Sequence, residues 1–317
     1  MCRRFFFWVT TFVTVIVFWN LENYFDPFDD AVILDDEFTP RGEKRWSWRR
    51  FERKRNGIAK VLLAAGSYGE VPAIAAFAEV ENKMVLRQLL RETPLEKLDY
   101  DIIHRDSPDA RGIDVGLIYR KSRFKPLDVR SIRVSEEFAT RDILYVKGVI
   151  LGEKSAPGLS DGGLPEMSAT GRDTIHIFVN HWPSKRGGAE LSDARREAAR
   201  SVLEAACDSI RSCDSAAFIL AMGDFNDTPY NVHLPLHNLS EPFAARGEGT
   251  IKYRGNWELI DQCFVSDTAR CRFSIFKPAF LLEQDRVYTG EKPRRTYVGP
   301  KYNGGLSDHL PIAVTLK

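Results

Sequence analysis

The 317-residue sequence predicts a mixed α/β (α+β) fold built as one unit. Short apolar runs rich in β-branched and aromatic residues recur along the chain, as buried strands require. Stretches with helical apolar spacing separate several of them, and no Gly-rich break or internal repeat divides the chain. Hydrophobic residues make up 44% and charged residues 28%. That composition is ordinary for a globular chain long enough to fold without disulfides or a structural metal. The expected organisation is a single domain over 12–317, preceded at 1–11 by a tail or vestigial export signal.

Taken in order, Arg3 and Arg4 precede an apolar run from Phe5 to Trp19. Basic residues before an apolar stretch resemble an export signal, but no small-residue cleavage site follows. The run is also too short for a stable membrane span. Phe12 to Trp19 therefore reads as a buried strand, and the compartment stays open between bacterial cytoplasm and export. Asp29 to Gly42 is an acidic, turn-rich loop. Trp46 to Ala65 carries Phe51, Ile58, Val61, Leu62 and Ala65 on one helical stripe and ends near Gly66. Ala73 to Val80 is a second strand, Val85 to Leu90 lies in a helix closed before Pro94, and Val115 to Tyr119 is a third strand. Ile143 to Leu151 and Thr174 to Val179 are strands separated by a Gly-, Ser- and Pro-containing segment, Gly152 to Asp173, expected as a mobile loop. Leu191 to Ile210 is helical. Ala217 to Met222, Leu259 to Val265 and Ile312 to Leu316 complete the strands.

A net charge of +1 means that attraction to a polyanion must come from a local patch. Five cysteines without a CxxC pair are a poor zinc or disulfide framework. Cys263 and Cys271 could face each other across a hairpin or be two buried free thiols.

Five polar clusters recur where apolar strands end: Asn20 and Glu22 after Trp19; Glu79 and Glu81; Asn180-His181-Trp182-Pro183-Ser184-Lys185; Gly223-Asp224-Phe225-Asn226-Asp227; and Ser307-Asp308-His309, with Asp261 between the last two. Strand ends are where a rigid scaffold displays functional side chains. Each cluster alone could be a cap, a turn or an ion pair. Five together, in this order, are hard to obtain from turn chemistry.

The set resembles the endonuclease/exonuclease/phosphatase superfamily from about Val13 to the C-terminus, most specifically in Gly223-Asp224-Phe225-Asn226 and Ser307-Asp308-His309. Trp19 to Asp26, Arg111-Gly112-Ile113-Asp114-Val115 and Asn180 to Gly188 are similar to a bacterial branch of it. The resemblance implies a four-layer αββα sandwich, with two mostly antiparallel β-sheets flanked by helices. It also implies hydrolysis of phosphate esters with Mg²⁺ or Mn²⁺. Such a hard ion takes oxygen ligands and keeps several waters. Glu79 matches the principal ligand, with Glu22 and Asp308 as further metal carboxylates and Glu81 as a weaker candidate if strand alternation keeps it on the same face. Asp224 matches the carboxylate that orients or deprotonates water, and Asn226 and Asn20 match supporting amides. Asp261 matches the partner of His309, a pairing that favours imidazolium beside phosphate. His181 matches a second histidine, with Asp114 as its nearest carboxylate partner.

Arg111, Lys185 and Arg186 are the expected substrate contacts, and Arg294 and Arg295 could line the same rim. The basic run Arg41 to Arg55, with Trp46, Trp48 and Phe51, reads as a solvated helix face with aromatics in the core. Its alternative is a patch for a phosphate backbone. A monomer acting on a phosphate ester is expected. Three readings stay open: a nuclease acting on DNA, which the Asn180 to Lys185 segment favours; a phosphatase or phosphodiesterase for inositol phosphate, lipid or other small esters; and a non-catalytic binding domain that kept the fold.

Overall fold

Apolar strands that bury both faces must be covered twice, and this chain does so by packing two six-stranded sheets against each other and helices outside them. The structure is a computed structural model and describes residues 13–66, 70–152, 174–184 and 188–317. The expected loop from Gly152 to Asp173, apart from Gly152 itself, and both Lys185 and Arg186 lie outside the described residues.

The strands of the two sheets are β1 (Thr14–Tyr24), β2 (Ile74–Val80), β3 (Tyr100–His104), β4 (Asp114–Arg120), β5 (Phe124–Ile132), β6 (Ile143–Ile150), β7 (Thr174–His181), β8 (Phe218–Asp224), β9 (His237–Asn238), β10 (Asp261–Val265), β11 (Cys271–Ile275) and β12 (Ile312–Leu316). The first sheet has the order β11-β12-β1-β2-β4-β3 and the second β5-β6-β7-β8-β10-β9. Pairing is antiparallel except at the centre of each sheet, where β1 runs parallel to β2 and β7 parallel to β8. A parallel neighbour needs a crossover. Helix α1 (Trp48–Ala64) lies in the first connection and α3 (Ala189–Cys213) in the second. Helix α2 (Lys83–Arg91) follows β2, and Asn82 caps it by accepting from the backbone N–H groups of Met84 and Val85.

Three apolar layers result. Ile16, Phe18, Ile74 and Ala76 of the first sheet meet Val146, Ile177, Val179, Leu220 and Met222 of the second. Phe51, Ile58, Val61 and Leu62 of α1, with Val85, Leu86 and Leu89 of α2, cover the outer face of the first sheet. Ala199, Leu203 and Cys207 of α3 cover the outer face of the second. This is the expected αββα sandwich. Among the described residues, no helix is long and apolar enough to cross a membrane.

One open alternative is decided and one expectation is corrected. Cys263 and Cys271 do not face each other across a hairpin, because they sit on β10 and β11 in different sheets; both are free thiols. Glu81 does not share a face with Glu79. The β2–β4 register shifts between Ala78 and Val80, and Glu79 adopts φ 59°, so the two-residue alternation is broken there. Glu81 is buried and accepts the N–H of Asp26 at 2.5 Å. Burial pushes its carboxyl up to about 9; the Asp26 N–H pulls it down, while the Asp26 and Asp35 carboxylates push it up.

That raised value has a thermodynamic sign. Between the unfolded pKa near 4.5 and about 9, the folded chain holds a proton that the unfolded chain has lost. The stability contributed by protonated Glu81 is therefore complete below the unfolded value and is lost as pH rises toward 9. The loss is on the order of 2–3 kcal/mol between pH 5 and 7. Glu81→Gln keeps a donor and an acceptor toward Asp26 and removes the titration. Denaturant melts at pH 5 and pH 8 should show a shallower pH slope for this variant than for the wild type. Identical slopes would mean that Glu81 is charged in the folded protein.

Candidate active site

The C-terminal ends of the two parallel pairs open on one cleft. Strands β1 and β2 deliver Asn20, Glu22 and Glu79; β7 and β8 deliver His181 and Asp224. Asp261 starts β10 opposite Asp224 in register, and the segment before β12 supplies Asp308 and His309.

Local sequence explains how each piece is held. Asn180 lies beside Gly223 in the β7–β8 register, and a Cβ on Gly223 would stand 2.2 Å from the Asn180 carbonyl oxygen. Glycine there is a packing requirement, whereas the sequence alone suggests a turn. Asn226 adopts φ 51° and donates its N–H to Asp224 Oδ1 at 2.9 Å, a turn that asparagine tolerates. The Asn226 side chain donates to the Trp182 carbonyl at 2.8 Å. The Ser307-Asp308-His309 segment is fastened to β1. Ser307 Oγ donates to the Asn20 carbonyl at 2.6 Å, and Trp19 Nε1 donates to the His309 carbonyl at 2.9 Å.

Asp224 is the hub. Its Oδ2 accepts from Asn20 Nδ2 at 3.0 Å and faces His181 Nε2 at 3.7 Å and His309 Nε2 at 3.9 Å. Burial pushes its carboxyl up to about 7; His309, the Asn226 N–H and the Asn20 amide pull it down, while Asp261 pushes it up. His309 Nδ1 and Asp261 Oδ2 are 2.8 Å apart, within hydrogen-bond reach. Burial alone would lower the His309 pKa, but Asp261, Asp224 and Asp308 together hold it well above the ordinary histidine value. His181 is shifted the opposite way, well below that value, by burial and by the positive charges of Arg141 and Arg111. One cleft thus contains two histidines shifted in opposite directions, His309 toward the charged form and His181 toward the neutral one.

Asp114, expected beside His181, points elsewhere. It accepts the Ser107 N–H at 2.9 Å and lies 3.4 Å from His104 Nε2, because β4 begins at the edge of the cleft next to β3. The buried Nδ1 of His181 makes no hydrogen bond among the described residues.

Glu79 accepts the Asn23 N–H through Oε2 at 2.8 Å. Its Oε1 makes no hydrogen bond among the described residues; Arg111 lies 3.8 Å away and His181 3.9 Å. Glu22 is more occupied. Its Oε2 accepts the Thr296 N–H at 2.6 Å, and Arg295 lies 3.3 Å from Oε1 while donating to Asp308 Oδ2 at 2.6 Å. Burial, and then Asp308, push Glu22 up to about 7. This gathering of carboxylates suits a divalent cation: like charges are crowded, and Glu79 keeps an oxygen free to ligate. Asp224, Asp261 and His309 also lie close enough to share an ion. The Asp261–His309 hydrogen bond occupies Nδ1, one of the two ring nitrogens, and leaves Nε2 facing Asp224.

Lys54 is a residue that the sequence reading missed. It comes from the basic run, is fully buried, and donates to the Glu22 carbonyl at 2.6 Å and to Thr296 Oγ1 at 2.8 Å. Burial brings its pKa down to about 8, against the pull of Glu22, Glu79 and Asp308. Its position was readable: Lys54 falls three residues after Phe51 and four before Ile58, on the apolar stripe of α1. The rest of the run behaves as a helix face, with Trp46 and Phe51 in the core and Arg50 donating to the Lys44 and Arg45 carbonyls.

The chain aligns to the Endonuclease/Exonuclease/phosphatase family over residues 15–156 and 166–317. No curated protein matches. Solved structures with the same fold include truncated Caenorhabditis elegans TDP2, at 15% identity and TM-score 0.59, covering 96% of this chain and 97% of that one. D. rerio TDP2 complexed with a single strand DNA product matches at 14% identity and TM-score 0.54, covering 96% and 99%. The human Nocturnin catalytic domain with bound sulfate matches at 17% identity and TM-score 0.55, covering 96% and 93%. At such identities these structures speak for the fold alone. The family alignment, spanning nearly the whole sequence, places this chain in the endonuclease/exonuclease/phosphatase family.

Proposed function

We propose that the chain is a divalent-metal-dependent phosphodiesterase acting on nucleic acid, with DNA the favoured substrate. The observation that carries this reading is the surroundings of Asp224. One buried carboxylate with a pKa near neutrality lies between two histidines of opposite protonation preference, next to Glu79. Hydrolysis of a phosphodiester needs a positioned water, charge compensation on the phosphoryl oxygens and a proton for the leaving oxygen. The cleft has groups suited to each.

Glu79, through Oε1, would hold Mg²⁺ or Mn²⁺, with Asp308 and Glu22 adding negative charge around it. The bound ion would supply charge neutralisation at the phosphoryl oxygens. Asp224 orients the attacking water and takes its proton, which a carboxyl near pKa 7 does well at neutral pH. Asn20 fixes the Asp224 carboxylate, and the Asx turn at Asn226 fixes its other oxygen. His309, kept protonated by Asp261, presents Nε2 to the phosphate or the leaving oxygen. Neutral His181 donates a hydrogen bond to a phosphoryl oxygen without repelling the cation. Arg111 at the rim contributes positive charge toward the substrate. The fold shared with a TDP2 complexed with single strand DNA product supports a nucleic acid substrate.

The test compares plasmid DNA, bis-p-nitrophenyl phosphate and inositol phosphates with Mg²⁺, with Mn²⁺ and with EDTA. Metal-dependent cleavage of DNA and of the diester, abolished by EDTA, is expected. Full activity in EDTA would overturn the mechanism. Turnover of inositol phosphates alone would replace the nuclease reading with a phosphatase, and no turnover of any substrate would leave a binding domain.

A further inference from the structure

At the edge of the first sheet, β3 pairs only with β4, in a register that sets His104 opposite Gly116. Asp114 stands two residues from Gly116 on β4, so it shares a face with His104. Continued by two residues, the same register sets Asp106 opposite Asp114. One nitrogen or carboxylate oxygen from each of these three residues lies within 4.8 Å of the other two. The His104 and Asp114 side chains are 3% and 4% exposed, whereas Asp106 is 89% exposed. Ser107 holds one side of Asp114, donating its N–H to Oδ1 at 2.9 Å and its hydroxyl to the same atom. The other oxygen, Oδ2, faces His104 Nε2 at 3.4 Å. That ring nitrogen is buried and makes no hydrogen bond among the described residues.

We propose that His104, Asp106 and Asp114 form a binding site for a divalent transition-metal ion, with Zn²⁺ the best match. A buried ring nitrogen without a partner costs stability unless something supplies one. The spacing indicates what does. A protonated His104 paired with Asp114 would close to roughly 2.7–2.9 Å. Two atoms bound to one tetrahedral ion at about 2.0–2.1 Å are instead held roughly 3.4 Å apart. The separation found is 3.4 Å. An imidazole nitrogen beside carboxylate oxygens suits Zn²⁺, while Mg²⁺ takes oxygen ligands. Asp106 lies 3.7 Å from His104 Nδ1, and as an exposed side chain it is free to turn its carboxylate onto the ion, leaving a fourth position to water. Ser107 steadies the Asp114 carboxylate from behind, as outer partners of metal ligands do. Asp106 and Asp114 bracket the segment 107–113, which carries Asp109, paired with Arg141 at 3.0 Å, and Arg111, 3.8 Å from Glu79. An ion at the base of that segment pins it and fixes where Arg111 stands at the rim of the cleft. The site shares no residue with the Glu79, Glu22 and Asp308 cluster and does not depend on the hydrolytic reading.

Calorimetric titration of the metal-stripped full chain with Zn²⁺ tests this without any hydrolysis. The Glu79→Gln background keeps an ion in the cleft from masking the signal, and Asp106→Asn or His104→Gln is added to it. One Zn²⁺ binding event should persist in Glu79→Gln, weaken at least about tenfold with Asp106→Asn, and vanish with His104→Gln. Asp106 is exposed and lies beyond the end of β3, so Asp106→Asn decides the matter should His104→Gln fail to fold. Co²⁺ in place of Zn²⁺ should show the strong visible absorption of a tetrahedral site, and Asp106→Asn should remove it. Zn²⁺ should also slow amide hydrogen exchange over residues 107–112 in the wild type and not in Asp106→Asn. Failure of Glu79→Gln to bind Zn²⁺ would overturn the proposal. So would equal affinity and stoichiometry with and without Asp106→Asn, since the ion would then lie elsewhere. Exchange over 107–112 that bound Zn²⁺ leaves unchanged would refute the pinning of the Arg111 segment.

Discussion

Replacing Asp224 by asparagine should lower turnover by about 10²–10⁴-fold, the range for loss of a general base, while leaving the protein folded and its metal requirement unchanged. The geometry gives the reason. Asparagine has nearly the same shape, so its carbonyl can still accept the Asn226 N–H. What disappears is the capacity to accept a proton between two histidines. The folded state loses a buried carboxyl, whose desolvation is the main cause of its raised pKa, but the new amide group faces the Asn20 Nδ2 donor; the two effects oppose, so the protein should stay folded with a small change in stability. Single-turnover rates on bis-p-nitrophenyl phosphate across a Mg²⁺ titration, with a thermal melt, check all three parts. A variant within a few-fold of wild-type turnover would remove Asp224 from the chemistry.

Glu79→Gln should act on the other half of the site. The Oε1 atom left without a hydrogen bond is the oxygen best suited to a hard cation, and an amide oxygen is a much weaker ligand for it. The Mg²⁺ concentration for half-maximal activity should rise strongly, far more than for Asp224→Asn. Direct Mn²⁺ binding, followed by electron paramagnetic resonance, should weaken in parallel. Unchanged metal dependence in Glu79→Gln would place the ion elsewhere in the cleft.

The sequence revealed the site more readily than the sheets. Asn20, Glu79, Asp224, Asp261 and His309 were legible because each follows or interrupts an apolar strand where packing alone offers no use for it, and the cleft brings them together. The strands that escaped notice, β3, β5, β9 and β11, are the four edges of the two sheets. An edge strand pairs on one side only and can be polar along its length. Phe124–Ile132, with Pro126 and three basic or acidic residues, shows no apolar run to detect. Backbone turns hidden in residue type account for other misses. Nothing in the letters around Glu79 indicates its left-handed φ, so Glu81 was expected on the wrong face. Asp114 was misread for a different reason: spacing along β4 says nothing about which histidine stands opposite, and His104 of the neighbouring strand is the one that does. Lys54 was hidden by its neighbours, since a lysine amid seven other basic residues from Arg41 to Arg55 looks like surface.

The parallel pair at the centre of each sheet makes the molecule a near repeat of itself. Each sheet runs strand, crossover helix, adjacent parallel strand, and each contributes only part of the cleft. Glu79 and Asn20 belong to one half, His181 and Asp224 to the other, while His309 belongs to the first half and bonds to Asp261 of the second. Neither half can be active before the two are docked through the layer of Ile16, Phe18, Val179 and Met222. The proposed hydrolysis would therefore be a reporter of docking. During refolding that activity should return with the closing of that layer and lag behind secondary structure, and any loosening between the sheets should abolish it before the strands themselves come apart.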